Sequence, residues 1–219
     1  MRTIVYVDGF NLYYRALKKR PQHRWLNLKV MAEAVLSAQN QIIKVNYYTA
    51  RASGKLDPDT PRRQQIYFDA LATVPEIETT LGKFLVTRPY AGLAPPPQGG
   101  KPPFQPWPSV VRIVKTEEKG SDVNLGAHLV RDAYTNAFDV AAVITNDTDL
   151  VEPVRIVVEE VRKPIGILSP DAQVARGLAD VASFQRFIRT GHLSAAQFPD
   201  VIVRPGQPEL RRPATWVAR

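Results

Sequence analysis

Short runs of β-branched and aromatic residues alternate with stretches of helical periodicity along the chain, and this alternation constrains the fold more than any other feature. Residues 3–7 (Thr3-Ile4-Val5-Tyr6-Val7) form an apolar run closed by the turn pair Asp8-Gly9, as a buried strand does. Residues 41–50 carry Ile42, Val45, Tyr47 and Tyr48, which favour β structure. Residues 83–88, 110–115, 140–145 and 164–169 read as further strands. Between them the apolar spacing predicts helices over 11–20, 29–39, 62–73, 121–134 and 151–161, with Pro61 suited to a first helical position. Residues 179–184 and 187–189 read as a last short strand or turn and a helical stub. Such alternation predicts an α/β fold with a mostly parallel sheet and right-handed crossovers. The 219 residues are enough to bury one large core without a disulfide or a structural metal.

Several chemistries are excluded by what the chain lacks. It has no cysteine, so thiol nucleophiles, cysteine-ligated zinc and iron–sulfur centres are ruled out. Its three histidines, His23, His128 and His192, show no metal-motif spacing. No apolar run approaches the ~20 residues that span a bilayer. Residues 2–7 enter a strand directly, with no signal segment, and the expected location is cytoplasmic. The net charge of +8 favours anionic partners, nucleic acid first among them.

Two segments interrupt the pattern. Residues 92–109 hold seven prolines and three glycines, which no helix or central strand survives. They read as an arm inserted into a domain spanning 1–190. Residues 191–219 are rich in proline and arginine, and they read as a basic tail that packs poorly.

In parallel sheets of this kind ligands bind beyond the carboxyl ends of the strands. Three strand exits deliver acids toward that edge. The first ends in Asp8. The strand over 140–145 ends in Asn146-Asp147-Thr148-Asp149. The strand over 110–115 leads through a short acidic loop to Gly120-Ser121-Asp122. Singly each has an ordinary explanation: Asp8-Gly9 is a turn pair, Asn11, Ser121 or Asp122 a helix cap, and Asp149 with Glu152 a variant capping box. Jointly they are harder to explain structurally. A like-charge pair about 5 Å apart costs roughly 3 kcal/mol at an effective dielectric of about 20. Convergent aspartates therefore either take up protons or bind a divalent cation, and hard oxygen ligands select Mg²⁺ or Mn²⁺.

The residues also resemble a family. Val7-Asp8-Gly9-Phe10-Asn11-Leu12 resembles the opening DGxN motif of NYN-domain proteins, the LabA-like branch of the PIN-like nuclease superfamily. Lys119-Gly120-Ser121-Asp122-Val123 is similar to their KGxDV motif, and Val143-Ile144-Thr145-Asn146-Asp147-Thr148-Asp149-Leu150 to their SGDSDF motif. The order and spacing are those of the family. In the third motif Asn146, Thr148 and Leu150 replace glycine, serine and phenylalanine. His128 stands where members often carry an acid, and it reads as a packed helix histidine.

The resemblance implies a PIN-like three-layer sandwich, a central mostly parallel sheet flanked by helices, and a Mg²⁺- or Mn²⁺-dependent ribonuclease. Asp8, Asp122, Asp147 and Asp149 fall on the family's acidic, metal-holding positions. Asn11 falls on the motif asparagine, which would orient the attacking water or a liganding carboxylate. One cation would lie with Asp8 and Asp149, helped by Asp122, and a second, if present, with Asp122 and Asp147. Arg51, Arg62, Arg63 and Lys119 are the candidate phosphate contacts, and Tyr13, Tyr14 or Trp107 could stack on unpaired bases of single-stranded RNA. A homodimer is possible. Three alternatives stay open: an RNA-binding regulator of the same fold, a haloacid-dehalogenase-type phosphatase and a structural α/β protein. The phosphatase would need a second aspartate where Phe10 stands.

Overall fold

A computed structural model describes residues 1–54, 57–95 and 106–217. In chain order the strands are β1 (Arg2–Asp8), β2 (Gln41–Ala50), β3 (Ile77–Thr87), β4 (Tyr90–Gly92), β5 (Val110–Arg112), β6 (Lys115–Lys119), β7 (Val140–Ile144), β8 (Ile165–Ser169), β9 (Phe184–Phe187), β10 (Val201–Arg204) and β11 (Gln207–Arg211). The helices are α1 (Gly9–Leu12), α2 (Leu28–Val35), α3 (Thr60–Leu71), α4 (Ser121–Tyr134), α5 (Val151–Arg155), α6 (Arg176–Val181) and α7 (Thr190–Ala195). Wide turns extend α1 over Tyr13–Leu17 and α5 over Ile156–Glu160.

Seven strands make one sheet in the order β6-β3-β2-β1-β7-β8-β9. All neighbours are parallel except the β3–β6 pair. After β1 the chain winds outward through β2 and β3, then returns and winds the other way through β7, β8 and β9. The order therefore reverses between β1 and β7, and that switch point is where an α/β sheet opens a crevice.

Helices cover both faces, which explains why β1 reads as an unbroken apolar run. Val5 and Val7 pack into one core with Leu12, Trp25, Met31 and Leu71. Ile4 and Tyr6 point the other way, into a second core with Leu125, Leu129, Phe138 and Val157. These two apolar layers and the sheet between them make the expected three-layer α/β architecture. No helix of the described residues is long and apolar enough to cross a membrane.

Four sequence expectations need correction. Residues 110–115 are not one strand. Val110–Arg112 pairs with Tyr90–Gly92 in a separate antiparallel ribbon, and the acidic loop that follows is itself β6. An edge strand tolerates such charge, and Lys115 pairs with Glu117 at 2.8 Å. The third strand begins at Ile77, well before residue 83, because its alternating polar residues suit a sheet margin. Residues 176–181 are helical rather than extended, with Leu178 buried against the second core. Finally, the segment beyond 190 does not pack poorly. Leu193, Phe198, Leu210 and Trp216 are buried in the first core, where Trp216 meets Trp25 and Tyr67 at ring distances of 6.3 and 6.1 Å. Proline and arginine content hid these apolar anchors, which are widely spaced in the sequence.

Residues 96–105 of the proline-rich arm lie outside the described residues. Its two ends are held together by the β4–β5 ribbon and by the Leu93 N–H, which donates to the Ser109 carbonyl at 2.9 Å.

Candidate active site at the strand ends

Asp8 is the last residue of β1 and is buried, at 3% exposure. Its Oδ1 accepts the Asn11 backbone N–H at 2.9 Å, so Asp8 rather than Asn11 caps α1. Its Oδ2 accepts the Thr145 hydroxyl at 2.9 Å, a contact that joins β1 to the end of β7 across the switch point. Each oxygen keeps a further lone pair for a ligand. Burial pushes the Asp8 carboxyl up to about 6, and the charges of Asp122 and Asp147 add to that rise.

Gly9 has to be glycine for steric reasons. A Cβ there would lie 2.6 Å from the Tyr48 carbonyl oxygen and 2.7 Å from the Tyr47 ring. The Tyr48 carbonyl belongs to β2, which is hydrogen-bonded to β1 and cannot withdraw. Gly9→Ala is expected to cost about 1–3 kcal/mol, the usual penalty for overpacking, read as a lower denaturant midpoint.

The second motif is built at the start of α4. Gly120 adopts a left-handed conformation, with φ of 97°, that L side chains rarely take. This turns the chain from edge strand β6 into the helix. Glu118 then accepts both the Ser121 backbone N–H at 3.0 Å and the Ser121 hydroxyl at 2.7 Å. Gly120, not Ser121 or Asp122, is the cap position, Glu118 satisfies the first helical N–H, and Asp122 lines the cavity. Burial raises the Asp122 carboxyl, and Asp147, Glu118 and Asp149 raise it further.

The third motif follows β7. Asp147 accepts the Asp149 N–H at 3.1 Å and so caps the short turn over Thr148–Leu150. Asn146 is the hub of this loop. Its N–H donates to Asn11 Oδ1 at 2.9 Å, its Nδ2 donates to Asp171 and to the Gln173 carbonyl, and its Oδ1 accepts the Ala175 N–H. The replacement of glycine by asparagine thus fastens the acidic loop to the loop after β8. Asn11 acts on Asn146, so its carbonyl oxygen positions the loop.

These elements enclose a pocket of about 400 Å³, lined by Asp8, Asp122, Asp147 and Glu118 on its acidic side. Asn11 also lines it. Asp149 does not. It is exposed and lines a neighbouring groove of about 700 Å³ with Lys119, meeting the first pocket at Asp122 and Glu118. Asp8 thus shares its pocket with Asp122 and Asp147, while Asp149 stands on the groove side of Asp122.

Glu118 is the residue the sequence reading missed, since it lay in what looked like a loop. The other wall is aromatic: Phe10, Tyr14 and Phe84, with Arg15 beside them. Tyr13 instead turns to the first core, and Trp107 donates its indole N–H to the Ala94 carbonyl at the arm. His128 packs on Tyr48, bonded at 3.0 Å through Nδ1.

The candidate phosphate contacts scatter. Lys119 borders the groove. Arg51 follows the end of β2 and bonds Gln65 at 2.9 Å, Arg62 is exposed, and Arg63 is tied to Asp57 and Thr60. None of these three arginines lines either pocket.

Among the described residues no three carboxylate or imidazole groups stand close enough together to hold a metal as they are. The donor set nonetheless suits a hard divalent cation. Asp8, Asp122 and Asp147 share one pocket, and none of them pairs with a lysine or arginine among the described residues. Burial raises the Asp8 and Asp122 carboxyls, and the neighbouring carboxylates add to that rise.

A doubly covered parallel sheet that gathers aspartates at its switch point is the architecture of a PIN-like protein, a nuclease-type fold. Within that class the chain belongs to the NYN domain family, whose model matches residues 2–190. It is also 29% identical to 6-hydroxy-3-succinoylpyridine 3-monooxygenase HspA of Pseudomonas putida, over 99% of this chain and 75% of that protein. Among solved structures it is similar to a Vibrio parahaemolyticus protein of unknown function, with a TM-score of 0.51 and 15% identity. That likeness covers 86% of this chain and 93% of the other, and it shows the fold alone.

Proposed function

We propose that the chain is a Mg²⁺- or Mn²⁺-dependent ribonuclease that hydrolyses phosphodiester bonds of single-stranded RNA. The observation that carries this reading is the set of three carboxylates, Asp8, Asp122 and Asp147, delivered from three separate strand ends to one pocket with no lysine or arginine paired to them among the described residues. These three would hold the cation, with Asp149 approaching from the groove side of Asp122. The chemistry a cation supplies there is charge neutralisation at the phosphate and a lowered pKa for the attacking water. Thr145 and the Asn11 N–H hold Asp8 in place, Glu118 fixes the start of α4, and Asn146 fixes the third acidic loop. Exposed Arg51, Arg62 and Lys119 would steer the polyanion, in keeping with the net charge of +8.

The test is cleavage of labelled single-stranded RNA with Mn²⁺, with and without chelator. Cutting is expected to vanish with chelator and in Asp122→Asn, while circular dichroism shows the fold intact. Binding without cutting, across a varied RNA and DNA panel, would replace the nuclease with a regulator of the same fold.

A second reading has one observation in its favour. The wall of Phe10, Tyr14 and Phe84, with Arg15 beside it, would also hold a flat heteroaromatic acid. The Pseudomonas putida relative is named as a monooxygenase of 6-hydroxy-3-succinoylpyridine. Such a reaction consumes O₂ and two electrons from a reduced nicotinamide or flavin, placing one oxygen on the ring and the other in water. Donor-dependent O₂ uptake with a pyridine acid, and no RNA cutting, would establish it.

A further inference from the structure

Three aromatic rings stand directly opposite the carboxylates. Phe10 and Tyr14 lie one helical turn apart on the segment after β1, their rings stacked with planes 23° apart and 6.5 Å between centroids. Phe84, from β3, meets Phe10 edge-on at 5.6 Å. A ring this large is normally buried, yet Tyr14 is 57% exposed at the pocket mouth.

The same segment is strongly basic. Arg15, Lys18 and Lys19 are all exposed. Lys18 stands 4.8 Å from the centre of the Tyr14 ring, and neither Lys18 nor Lys19 pairs with a carboxylate among the described residues. Arg15 is aimed by Asp171, bonded at 2.6 Å, and Asp171 is in turn held by Asn146 of the acidic loop. A largely exposed ring with an unpaired lysine over its face and a second unpaired lysine nearby suits a flat group carried on a phosphate backbone.

We propose that Phe10, Tyr14 and Phe84 form a stacking platform for one unpaired nucleobase beside the scissile phosphate, with Arg15, Lys18 and Lys19 holding the phosphates on that side. The inference rests on the ribonuclease reading and adds how the strand enters the site. The base takes the Tyr14 face over which Lys18 now stands, the exposed lysine swings to the adjoining phosphate, and the backbone runs along the basic turn toward Asp122. A duplex cannot present a ring face there, so the platform selects unpaired segments. Stacking tolerates any base and therefore sets strandedness rather than sequence.

The test compares a short oligoadenylate with an abasic ribose-phosphate chain of equal length, which has the same charge and no rings. Binding is measured with Mg²⁺ on the Asp8→Asn protein, in which cutting is blocked. Oligoadenylate is expected to bind about 5- to 150-fold more tightly, the range for stacking of one base. Adding Tyr14→Ala should erase most of that difference without changing abasic binding, and Tyr14→Trp should keep it. Adding Lys18→Ala and Lys19→Ala should weaken both ligands alike. Tyr14 is exposed, so its replacement leaves the core intact.

Equal affinity for the two ligands would overturn the platform and leave the ribonuclease reading standing. No binding of either would overturn both. A Tyr14→Ala change that weakens only a pyridine carboxylic acid would assign the wall to a small ring instead.

Discussion

Asp8→Asn is expected to abolish phosphodiester cleavage and, at neutral pH, to make the metal-free chain more stable. The two effects have one cause. Asp8 is buried beside two other carboxylates, and its carboxyl is pushed up to about 6 from an ordinary 3.8. The folded chain therefore binds this proton more tightly than the unfolded chain. The group's stability contribution is full below about pH 4 and is lost as pH rises through about 6. Above that, holding the charge costs about 3 kcal/mol, the equivalent of a shift of about two units. Asparagine carries no charge, keeps an oxygen for the Asn11 N–H, and lets the Thr145 hydroxyl turn to accept. Denaturation curves of parent and variant should therefore approach each other near pH 4 and separate by about 2–3 kcal/mol at pH 7.5 with chelator present. Cleavage with Mn²⁺ should fall at least about 100-fold, since the charge stabilisation at stake is several kcal/mol. A variant that cuts normally, or that is less stable at pH 7.5, would contradict this account.

Ending the chain after residue 190 is expected to remove the folded state, even though the family match ends there. The segment beyond is fastened at several points. Trp25 donates its indole N–H to the Pro199 carbonyl at 2.8 Å, and the Phe198 and Asn27 N–H groups bond across the same seam. Removal exposes the surfaces that Leu193, Phe198, Leu210 and Trp216 cover. Each such side chain is worth about 1.5–3 kcal/mol. Together they rival the ~5–15 kcal/mol that holds a typical domain. The shortened chain should show no cooperative thermal transition, and Trp216→Ala in the full chain should cost about 3–5 kcal/mol. A shortened chain that melts cooperatively would make the last segment an accessory.

The sequence made the central sheet legible because β1, β7 and β8 are covered on both faces and so read as plain apolar runs. The margins were harder. Lys115-Thr116-Glu117-Glu118-Lys119 pairs as a strand only because β3 offers it an edge, and no local preference of those residues announces it. The acids Asp8, Asp122 and Asp147 were readable from their places at strand exits. Three details were not. The hold of Glu118 on Ser121 depends on the turn at Gly120. The diversion of Asp149 into the neighbouring groove depends on Asp147 capping the turn between them. The closing of the pocket by Phe84 depends on which strand neighbours β1, a property of topology rather than of composition.

The bond between Thr145 and Asp8 joins residues 137 positions apart. β1 lies at the middle of the sheet, and its β7 neighbour is made only after β2, β3 and β6. Until then Asp8 has neither its Thr145 clamp nor Asp147 beside it. A growing chain thus lacks the assembled carboxylate pocket until the strand that ends in Thr145 has joined the sheet. Topology therefore makes the carboxylate pocket a product of completed folding, present only once the core has closed.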